Sequence, residues 1–184
     1  RDRREVHHDA ISFGEALKAA IRQDADVILV GEMRDMETIE LAITAAEMGT
    51  LVFGTLHTNG AGKTIDRIVD AFPADQQPQI RTTLADSISA IVSQLLLPTA
   101  DGRGRCAAFE ILLRTNSLPN IIREGNTTTL ISVIQAGRND GMCLMDDSLE
   151  ALFHQNKITA TAAMAKANDK SRFEPFARQE AFQA

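Results

Sequence analysis

Cysteine, basic surplus and long apolar runs are all scarce in this chain, and each shortage excludes something. Cys106 and Cys143 are the only cysteines, too few and too widely separated for a zinc module or a disulfide framework. A reduced, cytosolic compartment fits that usage. Nineteen Lys and Arg against 25 Asp and Glu leave a formal net charge of −6. Nucleic-acid binders usually carry a basic surplus that neutralises phosphates, so no nucleic-acid partner is expected. No apolar stretch approaches the length of a membrane-spanning helix, and no signal peptide opens the chain, so no membrane insertion is expected. Internal repeats and low-complexity tracts are also missing. What remains is ordinary for a globular domain: 184 residues, 44% apolar and 24% charged, enough to bury a core. Arg1 rather than Met opens it, so the chain reads as starting inside a longer protein.

Strand and helix patterns alternate in the first half, which predicts an α/β layer with a parallel sheet. Ser12-Phe13-Gly14-Glu15 is a capping box, and Phe13, Ala16, Leu17, Ala20 and Ile21 recur at helical spacing behind it. Val27-Ile28-Leu29-Val30 is a continuous aliphatic run of the kind expected for a strand covered on both faces, and Gly31 ends it. Asp35 can cap the next helix, with Ile39, Ala42, Ile43 and Ala46 as its buried stripe and Gly49 as its stop. Leu51-Val52-Phe53-Gly54-Thr55 reads as a second buried strand, followed by the turn Leu56-His57-Thr58-Asn59 and a helix from about Gly62 to Asp70. Ile80, Leu84, Ile88, Ile91, Val92 and Leu95 mark one long amphipathic helix. Asp101-Gly102-Arg103-Gly104 reads as a hairpin turn between Leu95-Leu96-Leu97 and Ala107 to Leu112. Three or four short helices follow, with breaks near Pro119, Gly125, Gly137 and Gly141, and the tail from Ser171 frays or docks elsewhere. The expected division is an α/β part over residues 1–112, helices over 113–170 and a polar tail over 171–184.

The strongest chemical signal is Asp26 to Asp35, a buried strand that delivers Glu32 at its C-terminal end. Ligands of open α/β sheets sit beyond those strand ends. A carboxylate there is the Walker B arrangement and can hold an attacking water for in-line displacement at a γ-phosphate. The alternative is a carboxylate that merely caps the sheet edge in solvent. Gly31 stands where many such sites place a metal-binding Asp, so Mg²⁺ would rest more on phosphate and water. His57 follows the next strand and reaches the same edge, where an imidazole could donate to a γ-phosphate oxygen. The alternative is a histidine with no ligand, which is the reading for His7, His8 and His154. Gly62-Lys63-Thr64 imitates the end of a phosphate-binding loop, but that loop needs a glycine where this chain has His57. It is rejected, and Lys63 is read as a solvent-facing helix residue. No metal-ligand set is found.

Arg4-Glu5-Val6, Ser12-Phe13 to Ala19-Ala20, and Asp26 through Thr38 together resemble the secretion ATPase superfamily. Leu51 to Asn59 resembles its His box. Asp66-Arg67-Ile68-Val69-Asp70 with Phe72-Pro73, and Ser93-Gln94 leading into Leu95-Leu96-Leu97-Pro98, are similar to its pilus retraction branch. Ser117 to Glu124 is similar to that branch's Ala-Ile-Arg-Asn-Leu-Ile-Arg-Glu motif, with Pro119 in place of the first arginine. The likeness extends to about Asn168. It implies a partial RecA-like P-loop ATPase core with a C-terminal helical subregion, using ATP and Mg²⁺. Glu32 would be the catalytic acid that activates water and His57 the γ-phosphate contact. Arg34 and Asp35 would belong to the nucleotide site, or equally to helix entry and a local ion pair. Arg123 and Glu124 would couple hydrolysis to motion, with Ile121 and Ile122 as packing contacts. The implied assembly is a homo-oligomer, a hexameric ring docked on the pilus inner-membrane platform at the cytoplasmic face of the inner membrane. The resemblance makes the chain part of an ATP-hydrolysing motor for pilus retraction and twitching motility.

Three departures stand out. The family's phosphate loop with its acidic Asp box, and the N-terminal domain that supplies arginines, are not in these 184 residues. Met48-Gly49-Thr50 replaces the usual Thr-Gly-His, which removes a second histidine but leaves His57. The chain alone is therefore expected to bind ATP weakly or not at all and to be inactive. Assembly or secretion ATPases of the superfamily are the sister reading, but they usually carry a four-cysteine zinc module that two distant cysteines cannot build. A non-catalytic oligomerisation module is the reading from another class.

Overall fold

The structure, a computed structural model, describes residues 11–23 and 25–183, with the backbone alone for Phe13 and Gln183. His7, His8 and the Arg4 to Val6 stretch lie outside the described residues. The chain forms two compact units. One comprises the described part of residues 1–58 together with 64–88 and 116–127; the other comprises 59–63, 89–115 and 128–184.

In the first unit, α1 (Phe13–Ile21) starts where Ser12 Oγ accepts from the Glu15 amide at 3.2 Å. β1 (Val27–Val30) and β2 (Leu51–Gly54) pair in parallel, Val27 beside Leu51 and Val30 beside Gly54. Between them runs α2 (Met36–Glu47), and α3 (Ala61–Val69), of which residues 64–69 belong to this unit, follows β2. Leu17 from α1, Ile28 and Val30 from β1, and Ala42 and Ala45 from α2 close one core. The strands are covered on one face only, which corrects the expectation of burial on both. Strand side chains alternate, so Val27 and Leu29 point the other way, in register with Leu51 and Phe53, and stay exposed. This unit also holds α4 (Gln77–Ser87), packed on α5 (Leu118–Glu124).

The predicted long helix through Leu95 is two elements. α4 stops at Ser87, Ile88 is already extended, and β3 (Ala90–Pro98) begins two residues later. From there burial falls on Ile91, Ser93 and Leu97, a period of two instead of 3.6. Antiparallel pairing with β4 (Arg105–Leu113) supplies the ladder hydrogen bonds that decide between the two periods. The hairpin turn itself lies where its residues predict, with the Thr99 amide donating to the Gly104 carbonyl at 3.0 Å.

β3 and β4 belong to the second unit, with α6 (Leu130–Ala136), α7 (Met145–His154), α8 (Ala160–Lys166) and α9 (Glu174–Gln183). Contacts thus group the hairpin with the later helices, unlike the linear division read from sequence, because α7 and α8 pack on its strands. Pro119 interrupts nothing: it sits in the first turn of α5, where its missing amide has no intrahelical partner. The tail docks within its own unit. Phe173 is buried against Leu149, Ile158 and Ala163, and Glu180 accepts from the Ala160 amide at 2.6 Å and the Thr161 amide at 3.0 Å.

Candidate functional site

Beyond the C-terminal ends of β1 and β2 the two segments stay laced together. The Met33 amide donates to the Thr55 carbonyl at 3.0 Å, and Thr55 Oγ1 donates to the Gly31 carbonyl. The end of the Met33 side chain lies over Gly54, 2.5 Å from where a Cβ would stand. The lacing brings Glu32 and His57 into contact, with His57 Nε2 2.7 Å from Glu32 Oε1. Arg34 Nε touches the same oxygen. Oε1 is enclosed and makes no well-aligned hydrogen bond, so these are charge contacts. Glu32, Met33, Arg34, Leu56, His57 and Arg67 together line one open cleft in this unit.

Electrostatics follow from the geometry. The Arg34 guanidinium holds the Glu32 carboxyl below the usual carboxylate range; partial desolvation opposes this, and His57 adds to the lowering. The same contact raises Arg34. Glu32 is therefore ionised at neutral pH and a weaker base than a free glutamate. Asp35 has a different role. Its carboxylate accepts from the Thr38 amide and hydroxyl, each at 2.9 Å, capping α2, and the amide bond is what lowers its pKa most.

None of the other residues singled out by sequence lines this cleft. His154 is exposed beside Glu150, at 3.7 Å. Ile122 is buried on α5, and Ile121 is half-buried. Arg123 pairs with Asp86 of α4 and donates to Asn120 Oδ1 at 3.2 Å. Such a partner, 37 positions away, has no local sequence signature. Glu124 is exposed.

In the second unit, the two amides that precede Gly62 are already committed. The Gly60 amide donates to Ser93 Oγ at 3.0 Å, and the Ala61 amide to buried Glu110 Oε1 at 2.7 Å. A fixed carboxylate occupies the place an anion would take, and Lys63 is solvent-facing. Arg67 is the charged cleft residue to which sequence reasoning gave no role in the site. Its helical offset from buried Thr64, Ile65 and Ile68, which turns it outward, was the available signal. Among the described residues, no group of three or more His, Cys, Asp or Glu is placed to hold a metal. No helix among them is long and apolar enough to cross a membrane.

Comparison with known proteins adds the following. A family model described as "Type II/IV secretion system protein" matches residues 6–174. A "Twitching motility protein" of Neisseria gonorrhoeae is 52% identical over 168 residues, covering 91% of this chain and 45% of that protein. The "Type IV pilus retractation ATPase PilT" of Pseudomonas aeruginosa is 48% identical over 172 residues, covering 94% of this chain and 50% of that protein. A crystal structure of the pilus retraction motor PilT with bound ADP superposes with a TM-score of 0.85 at 46% identity, over 95% of this chain and 49% of that one. The chain thus spans about half the length of the curated relatives it matches.

Proposed function

Because the chain belongs to the type II/IV secretion system protein family, we propose that it is the part of a type IV pilus retraction ATPase that carries the hydrolytic carboxylate and the phosphate-contacting histidine. The observation that carries this reading is Glu32 held between His57 and Arg34 at the C-terminal edge of a parallel strand pair. Glu32 takes a proton from the attacking water. His57 reaches the terminal phosphate, the group that ATP has and ADP lacks. ATP's phosphates are cradled by a loop outside these 184 residues. Mg²⁺ accompanies the nucleotide in this reading, and the described residues form no cluster of His, Cys, Asp or Glu placed to hold it. The whole protein works as a homo-oligomer, a hexameric ring on the cytoplasmic face of the inner membrane that engages the pilus platform.

His57→Ala tests the reading directly. In a complete protein carrying this chain, affinity for a non-hydrolysable ATP analogue should fall about tenfold, the worth of one hydrogen bond to a charged group. ADP affinity should stay within about twofold. Calorimetry on both ligands decides it, and equal losses would make His57 a structural residue.

α5 is the coupling element in this proposal. Arg123→Ala with Glu124→Ala removes the exposed pair with Asp86, worth at most about 1 kcal/mol. Folding and ATP turnover should persist while twitching motility stops. A double variant that twitches normally removes this segment from coupling.

A further inference from the structure

Glu32 has two oxygens in unlike surroundings. Oε1 is shut away from solvent between Arg34 Nε and His57 Nε2. The side chain as a whole remains 24% exposed, so solvent reaches it through its other atoms. A carboxylate on a flexible stem would otherwise sample several rotamers, and either oxygen could meet a water. Holding one oxygen restricts that freedom, and Glu32 is among the residues that line the cleft. Arg34 is well placed to act as the pin. It lies two residues along the same segment, and Asp35, the next residue, is locked as the cap of α2. The pin is therefore anchored to a helix end. Apart from Arg34 and His57, the charged residue facing this cleft is Arg67 of α3.

We propose that Arg34 is a positioning residue for hydrolysis: by holding Oε1 it presents Oε2 as the oxygen that receives the proton of the attacking water. This rests on the reading of Glu32 as the base. In the step, the water's proton passes to Oε2 and its oxygen forms the new bond to the γ-phosphorus. The bond from phosphorus to the bridging oxygen breaks, and ADP leaves with that electron pair. Arg34 touches none of the reacting atoms. Its guanidinium acts through orientation and through charge, which keeps Glu32 in the proton-accepting form to lower pH.

The charge effect has a definite sign. A cation lowers the carboxyl's pKa, so activity that needs the carboxylate survives to lower pH and fails as pH falls through that value. Removing the cation moves the failure to higher pH. Arg34→Ala in the complete protein should thus lower kcat on the order of tenfold to a hundredfold, with KM for ATP within about twofold. The acid limb of the kcat profile should shift upward in pH. Arg34→Lys should restore the limb's position but only part of kcat, because an ammonium supplies charge without the guanidinium's planar geometry. A raised KM with unchanged kcat would make Arg34 a phosphate ligand and overturn the proposal. An unmoved acid limb with unchanged kcat would reduce the contact to a surface ion pair and overturn it too. Glu32→Gln is measured alongside: if that variant keeps its turnover, the assignment of the base has failed, not the role of Arg34 alone.

Discussion

Glu32→Gln, in a complete protein carrying this chain, is expected to lower ATP turnover by about a hundredfold or more while nucleotide binding stays close to that of the unaltered protein. The amide keeps the volume and planarity of the carboxylate but cannot take a proton from water. It also withdraws the negative charge that occupies Arg34 and His57. With that charge gone, repulsion between the site and the nucleotide's phosphates falls, so ATP binding is expected to hold or tighten. Loss of kcat with a steady or lowered KM is the mark of a group that works in the transition state and not in the ground state. Steady-state turnover beside calorimetric titration separates the two quantities. Turnover within a few-fold of the unaltered protein would remove Glu32 from the chemistry and leave it as a charge at a sheet edge.

Phe173→Ala should produce the largest loss of stability, about 3–5 kcal/mol in the unit that contains it. Phe173 is 1% exposed, packed among Leu149, Ile158, Ala163 and Ala167, and stands edge-on to Phe153 at 6.4 Å between ring centroids. Truncation removes the transfer energy of a whole ring and opens a cavity that helices on two sides cannot both collapse into. Urea unfolding reports the size of the effect, and amide exchange over α8 and α9 reports its location. A change within about 0.5 kcal/mol, the usual result for a surface position, would mean the C-terminal segment is not docked as described. Residues in the cleft should keep their exchange protection, since Glu32, Arg34 and His57 belong to the other unit.

The segment around Phe173 also marks where reading the sequence reaches its limit. Ser171 onward is polar with isolated phenylalanines and has no helical stripe, so it reads as a tail. It folds because one ring enters a core assembled from distant residues and because Glu180 supplies acceptors to the amides that open α8. Neither contact leaves a periodic trace. The stretch from Ile88 to Leu97 fails for a related reason. Its aliphatic residues fit a helical period and an alternating one, and only a partner strand makes the second lower in free energy. That partner, β4, comes after a turn that was itself legible from Asp101 and the glycines beside it. Burial of β1 on both faces was likewise inferred from composition, whereas exposure depends on what covers each face.

Local chemistry by itself determined a good deal. Ser12 and Asp35 start helices because short oxygen-bearing side chains satisfy amides three residues on, a relation contained within four residues. Val27 to Val30 forms a strand that ends at Gly31, so Glu32 had to emerge at a strand end, and the second aliphatic run delivered His57 by the same rule. That both residues lie at one edge followed from parallel pairing, which the alternation of elements implied. Tertiary structure alone decided the rest. Whether Glu32 would meet His57, that Arg67 would join the cleft and that Arg123 would be taken by Asp86 depend on side chains brought together from distant parts of the chain, 37 positions apart for the last pair. Hydrogen bonding within a turn is written into neighbouring residues; which charges end up facing one another depends on how whole elements pack.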